Sequence, residues 1–155
     1  MNLIELRKQN GLTQKEAALL VGIPYRTYVR YEENPNYLTT FKYKMIFQEL
    51  ESKVKIDEDH GVLSLDKIKA LLIPILKENN INFCYLFGSY AKGSPRENSD
   101  IDLLIDTEIT GLAFFDLVEK MRTALKKRID LLRLVDIKND NPIALRVLKE
   151  GIKIL

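Results

Sequence analysis

The chain predicts two domains: an all-α domain over residues 1–52, a linker over 53–63, and an α/β (α+β) domain over 64–155 whose mixed sheet is flanked by helices. Three observations carry this. Helical periods punctuated by capping signals fill the first third, a charged and aperiodic run follows, and short apolar runs then alternate with helical ones. With 155 residues and 46% hydrophobic content, the chain can build one medium core or two small ones.

In order, residues 2–9 carry a short helical pattern that stops at Asn10-Gly11. The next helix opens at Thr13-Gln-Lys-Glu16, a capping box in which the Thr13 hydroxyl accepts from the Glu16 amide while the Glu16 carboxylate accepts from the Thr13 amide. Gly22 supplies a left-handed C-terminal position, and Pro24 opens a third helix over 24–32, so the link between the two is as short as in a helix-turn-helix. A fourth helical pattern, about 39–51, places Phe41, Met45 and Leu50 near one face. The run SKVKIDEDHGVL has no sustained period and reads as linker, with the lone His60 solvated inside it. Ser64 then caps a helix over about 65–79, with Leu65, Ile68, Leu71, Leu72, Ile75 and Leu76 at helical spacing and Pro74 costing it a hydrogen bond or a kink. Strands at 82–87, 100–105 and 128–135 alternate with helices at about 111–126 and 142–149.

Composition excludes several chemistries. One cysteine, Cys84, inside the apolar run NFCYLF, supports neither a disulfide framework nor a cysteine metal site and packs as a small hydrophobe. One histidine excludes HExxH zinc sites and argues against Ser-His-Asp or Cys-His catalysis, so any chemistry rests on carboxylates. No apolar run is long enough for a membrane span and no signal-peptide core is visible, so the expected location is the cytoplasm. The net charge of +2 divides unevenly: residues 1–56 hold 9 Lys/Arg against 6 Asp/Glu, and 57–155 hold 15 against 16, or +3 and −1. The basic first part permits nucleic-acid contact there without demanding it.

The stretch GSYAKGSPRENSDIDLLID, residues 88–106, carries the candidate site. It is no Walker A loop, because Gly93 is followed by Ser94-Pro95 where a lysine and a hydroxyl residue are needed. On a strand, Asp100 and Asp102 project to one side while Ile101, Leu103 and Ile105 enter a core. Paired carboxylates suit a divalent cation with hard oxygen ligands, Mg²⁺ or Mn²⁺, whose open positions suit a nucleoside triphosphate. The Gly88-Ser89 turn offers backbone N–H groups and a hydroxyl to the phosphates. Asp130, embedded in the apolar run RIDLLRLV, is expected as a buried third acid that binds metal or orients an incoming hydroxyl. Asp106 stands at a strand end and Asp136 outside the strand pattern, which sets both aside.

The combination of Gly88 and Ser89, then Asp100 and Asp102, then Asp130 on a later strand, resembles the nucleotidyltransferase superfamily related to DNA polymerase β. The fuller string FGSYAKGSPRENSDIDLLI with PILKENNINFCYLF before it resembles the minimal nucleotidyltransferase branch, over residues 64–155 including EGIKIL. The resemblance implies Mg²⁺-dependent transfer of AMP from ATP to a hydroxyl, with pyrophosphate released. Its usual acceptor is a tyrosine of a HEPN-domain ribonuclease toxin, for which the minimal enzyme is the antitoxin. By the same resemblance Asp100, Asp102 and Asp130 are the metal ligands and catalytic acids, and Gly88, Ser89 and Lys92 bind the nucleotide. Lys92 stands where arginine is common, which keeps the charge but not the bidentate fork.

The segment GLTQKEAALLVGIPYRTYVRYEENP resembles the Cro/repressor-type helix-turn-helix. That pattern turns Tyr28 and Tyr31 inward and Gln14, Tyr25, Arg26, Thr27 and Arg30 toward DNA, and implies a homodimer on a palindromic operator or a hetero-oligomer with the toxin. Two alternatives stay open at this stage. The second domain can be a non-catalytic module that neutralises a partner by docking, or its nucleotide acceptor can be a small molecule or RNA.

Overall fold

A computed structural model describes residues 1–137 and 142–155 and divides the chain into two units, Met1–Lys55 and Ile56–Leu155.

The first unit is all helical: α1 (Leu3–Gln9), α2 (Gln14–Leu20), α3 (Tyr25–Glu33), a 3-10 turn at Pro35–Tyr37, and α4 (Phe41–Val54). The Thr13–Glu16 capping box forms as expected, and a second one joins Asn2 and Glu5 at the start of α1. Gly22 lies at φ +68° between α2 and α3, and Pro24 occupies the N-cap of α3 rather than its first turn. Tyr28 and Tyr31 are buried with Leu3, Leu6, Ala17, Ala18, Ile46 and Leu50. The face assignment of α4 needs correction. Its buried residues are Tyr43, Ile46 and Leu50, whereas Phe41 and Met45 are exposed. Tyr43 takes the inward place because its hydroxyl accepts the otherwise unpaired Leu3 amide at 3.0 Å.

The second unit contains α5 (Leu65–Glu78), β1 (Cys84–Phe87), α6 (Gly88–Ala91), β2 (Ile101–Ile105), α7 (Gly111–Leu125), β3 (Ile129–Arg133), a 3-10 turn at Leu134–Asp136, α8 (Pro142–Glu150) and β4 (Ile152–Lys153). Among the described residues the sheet order is β3-β2-β1-β4, with β2 parallel to β3 and antiparallel to β1, and β4 antiparallel to β1. One face of the sheet buries Leu86, Ile101, Leu103, Ile105 and Leu131 against Ile68, Leu72 and Leu76 of α5 and Leu117, Met121 and Leu125 of α7. The other carries Phe87 and Leu104, packed with Val147 of α8. Helix α5 runs through Pro74 on its exposed side, so only the lost amide is felt there.

The strands are shorter than their sequence patterns. The 128–135 run ends as strand at Arg133 and turns, and two small elements, α6 and β4, are too short to leave a period. Cys84 is fully buried, as expected, and burial pushes its thiol up to about 12, so it remains a protonated core group.

Candidate active site

Strand register assembles the site. Asp102 is the second residue of β2, so with Ile101 and Leu103 turned into the core its side chain rises on the opposite face. Its partner on β1 is Phe87, which places it against Gly88. A Cβ on Gly88 would lie 2.0 Å from Asp102 Oδ2, and Gly88 sits at φ +68°. Only glycine meets both demands, which gives the first letter of the motif a mechanical reason. The Gly88-Ser89 turn is the opening of α6, and the Ser89 carbonyl accepts from the Ser94 amide at 3.1 Å.

Asp130 is the parallel-sheet partner of Asp102, in register on β3, so the two carboxylates rise side by side on strands about 5 Å apart. Contrary to expectation, Asp130 is exposed. β3 is the edge strand, and the apolar character of its run serves the inner face through Leu131. Partial burial first, then the charges of Asp130 and Asp100, push Asp102 up from 3.8 to about 6, with Arg146 of α8 opposing.

Asp100 precedes β2 and is turned to Arg128, whose Nε donates to its Oδ1 at 2.8 Å and whose Nη2 donates to the Asn98 carbonyl at 3.1 Å. Lys127 is fully buried beside it and donates through Nζ to the carbonyls of His60, at 2.9 Å, and of Glu97. These two consecutive cations pin the loop that delivers Asp100. His60 is exposed and bonded to Asp57 at 2.7 Å, in keeping with a solvated histidine. Lys92 is exposed and pairs with Glu150 at 3.3 Å.

The fit to a divalent cation rests on the repelling carboxylates. Asp102 and Asp130 present oxygens on one side, and the crowding disfavours ionisation of Asp102 unless a cation is shared. Asp100 must exchange its bond to Arg128 to join them, and among the described residues no three acids already stand as a finished ligand set. Arg128, Lys127 and Arg146 were not legible as site residues. In sequence they are ordinary cations at a strand start and on a helix, and only the tertiary fold brings Arg128 and Arg146 to the aspartates and Lys127 to the loop before them.

In the first unit, Tyr25, Arg26 and Arg30 are exposed, and Gln14 and Thr27 partly so. Gln14 is held from both sides: its Nε2 donates to Glu33 at 3.2 Å, and the Tyr25 hydroxyl donates to its Oε1 at 3.5 Å.

Comparison with known proteins bears on both units. Residues 66–155 match the family model described as polymerase beta, nucleotidyltransferase. The chain belongs to that family. Residues 3–46 match a helix-turn-helix model. The chain is similar to the protein adenylyltransferase MntA of Thermococcus cleftensis, with 34% identity over 58% of this chain and 95% of the relative. It is also similar to MntA of Shewanella oneidensis, with 37% identity over 41% of this chain and 48% of that protein. A crystal structure of a toxin–antitoxin with AMP-PNP superposes with a TM-score of 0.50 at 27% identity, over 56% of this chain and 72% of that one. The second unit is therefore a polymerase-β nucleotidyltransferase domain, and the chain a nucleotidyltransferase.

Proposed function

We propose that this nucleotidyltransferase is an antitoxin that transfers AMP from ATP to a hydroxyl, that of a tyrosine, on a HEPN ribonuclease encoded by a neighbouring gene, and that its helix-turn-helix binds the operator of the pair. The observation that carries the transfer is the backbone of Gly88 closed against Asp102, with Asp130 in register beside it. The protein adenylyltransferases to which the chain is similar, and the toxin–antitoxin fold, support the acceptor class.

Asp102, Asp130 and, once released from Arg128, Asp100 would hold Mg²⁺ or Mn²⁺, which supplies neutralisation of the phosphate charge. The chain's own residues do the rest. Backbone N–H groups at Gly88-Ser89 and the Ser89 hydroxyl cradle the triphosphate, and Lys92 adds a point charge by leaving Glu150. Asp130, exposed at the sheet edge, orients the tyrosine hydroxyl and accepts its proton as the oxygen attacks the α-phosphorus. The bond from that phosphorus to the bridging oxygen breaks and pyrophosphate leaves. In the other unit Arg26, Thr27 and Arg30 of α3, with Gln14 and Tyr25, face the operator. The setting is the cytoplasm, where ATP, the toxin and the operator meet.

The test is intact-mass analysis of the neighbouring gene's product after incubation with this protein, ATP and Mg²⁺, beside an Asp100→Ala control. One or more AMP-sized additions, absent in the control, are expected. A stable complex without addition would overturn the transfer and leave a docking antitoxin.

A further inference from the structure

The outward face of α4 is built unlike a solvated helix face. Phe41 is 79% exposed and Met45 51%, with Leu38 close by in sequence at 46%. Beside them opens a groove of about 570 Å³ lined by Val21 and Ile23, from the turn between α2 and α3, and by Phe41, Met45 and Ile46. A large exposed ring next to an apolar groove marks a contact surface.

Two charges complete the lining, Lys42 and Glu49. They stand seven residues apart, two turns and about 10 Å along the axis, and Met45-Ile46 lies midway between them. This arrangement is complementary to itself. When two α4 helices cross antiparallel about a two-fold axis at Met45-Ile46, Lys42 of each copy lies opposite Glu49 of the other, and each Phe41 faces the other copy's groove. A parallel pairing would set like charge against like. An isologous contact of this kind makes a closed dimer. The bond of Glu49 to Lys53, 3.7 Å long between half-exposed groups, does not hold Glu49 back. Arg26 and Arg30 do not line the groove, so the face read as DNA-binding stays free.

We infer that α4 is the dimer surface of this protein, occupied by α4 of a second copy with Phe41 seated in the partner groove. One helix-turn-helix reads one half-site, and a two-fold dimer supplies the second. The inference is independent of the transfer reaction.

Sedimentation equilibrium of the full chain tests it. The unaltered protein is expected to be a dimer and Phe41→Glu a monomer. Lys42→Glu and Glu49→Lys singly are expected to weaken dimerisation at least tenfold, and the two together to restore it, while circular dichroism and AMP transfer stay unchanged in all four. A monomeric unaltered protein would overturn the inference. So would a dimer indifferent to Phe41→Glu, or a double variant no better than its singles. Loss of toxin binding in the single variants of a monomeric protein would give the groove to the toxin instead, also against it.

Discussion

Glu32 in the helix-turn-helix unit and Asp102 in the transferase unit are both carboxylates withdrawn from solvent, and their surroundings are opposite. Glu32, with its side chain 1% accessible, receives Arg7 Nε at 3.0 Å and Nη2 at 2.6 Å, with Gln14 Nε2 at 3.4 Å. Asp102 faces Asp130 and Asp100, and burial and both neighbours push it up to about 6. The first carboxylate is complete within its own chain and holds α1 to α3. The second is offset within its own chain only in part, by Arg146, and the remaining deficit is what a cation answers. A satisfied buried charge marks architecture here, and a crowded one marks chemistry.

The largest effect that separates the two lies in the first unit. Arg7→Ala strands Glu32 and is expected to cost about 3–5 kcal/mol in urea denaturation, with transfer per folded molecule unchanged. Lost transfer at temperatures where the variant is folded would contradict the division of roles. Next comes Gly88→Ala. The added Cβ meets Asp102 and the residue keeps φ +68°, so transfer is expected to fall about a hundredfold or more through displacement of the carboxylate, with about 1–2 kcal/mol of stability lost to the backbone. Steady-state kinetics beside a melt distinguish the two costs.

The smallest effect is the most diagnostic. The folded pKa of Asp102, about 6, lies above its ordinary 3.8, so the native state binds this proton more readily than the unfolded chain does. Stability without divalent cations should therefore rise as pH falls from about 6 toward 4, by on the order of 1 kcal/mol once partial exposure is discounted. Divalent-cation binding, which needs the ionised carboxylate, should weaken over the same window. Asp102→Asn is expected to remove the rise, and melts of the two proteins across that pH range measure it.

The capped helices and the three longer strands were legible because each is decided locally, by a capping box at Thr13, a cap at Ser64 or an apolar alternation at Ile101, Leu103 and Ile105. The pairing of Gly88 with Asp102 was legible as spacing, though its cause, a Cβ that has no room, belongs to the register. What a neighbour decides was not legible. Asp130 is exposed because β3 is an edge strand, and no run of residues announces its place in a sheet. Phe41 and Met45 look like core in an apolar count, and Tyr43 displaces them because a backbone amide of α1 needs its hydroxyl.

Because Phe87 pairs with Asp102 across the β1–β2 ladder, the approach of glycine backbone to carboxylate is set by the ladder and not by the length of chain between. Residues 93–96, between Lys92 and the tethered carbonyls of Glu97 and Asn98, are thus not fixed by the ladder. Their far end is tethered by Lys127 and Arg128, and Gly93, exposed at φ +71° with nothing within 4 Å of an added Cβ, marks where the loop has room to be lengthened. An insertion there would reshape the surface beside the aspartates while leaving the glycine and the carboxylates where the ladder holds them.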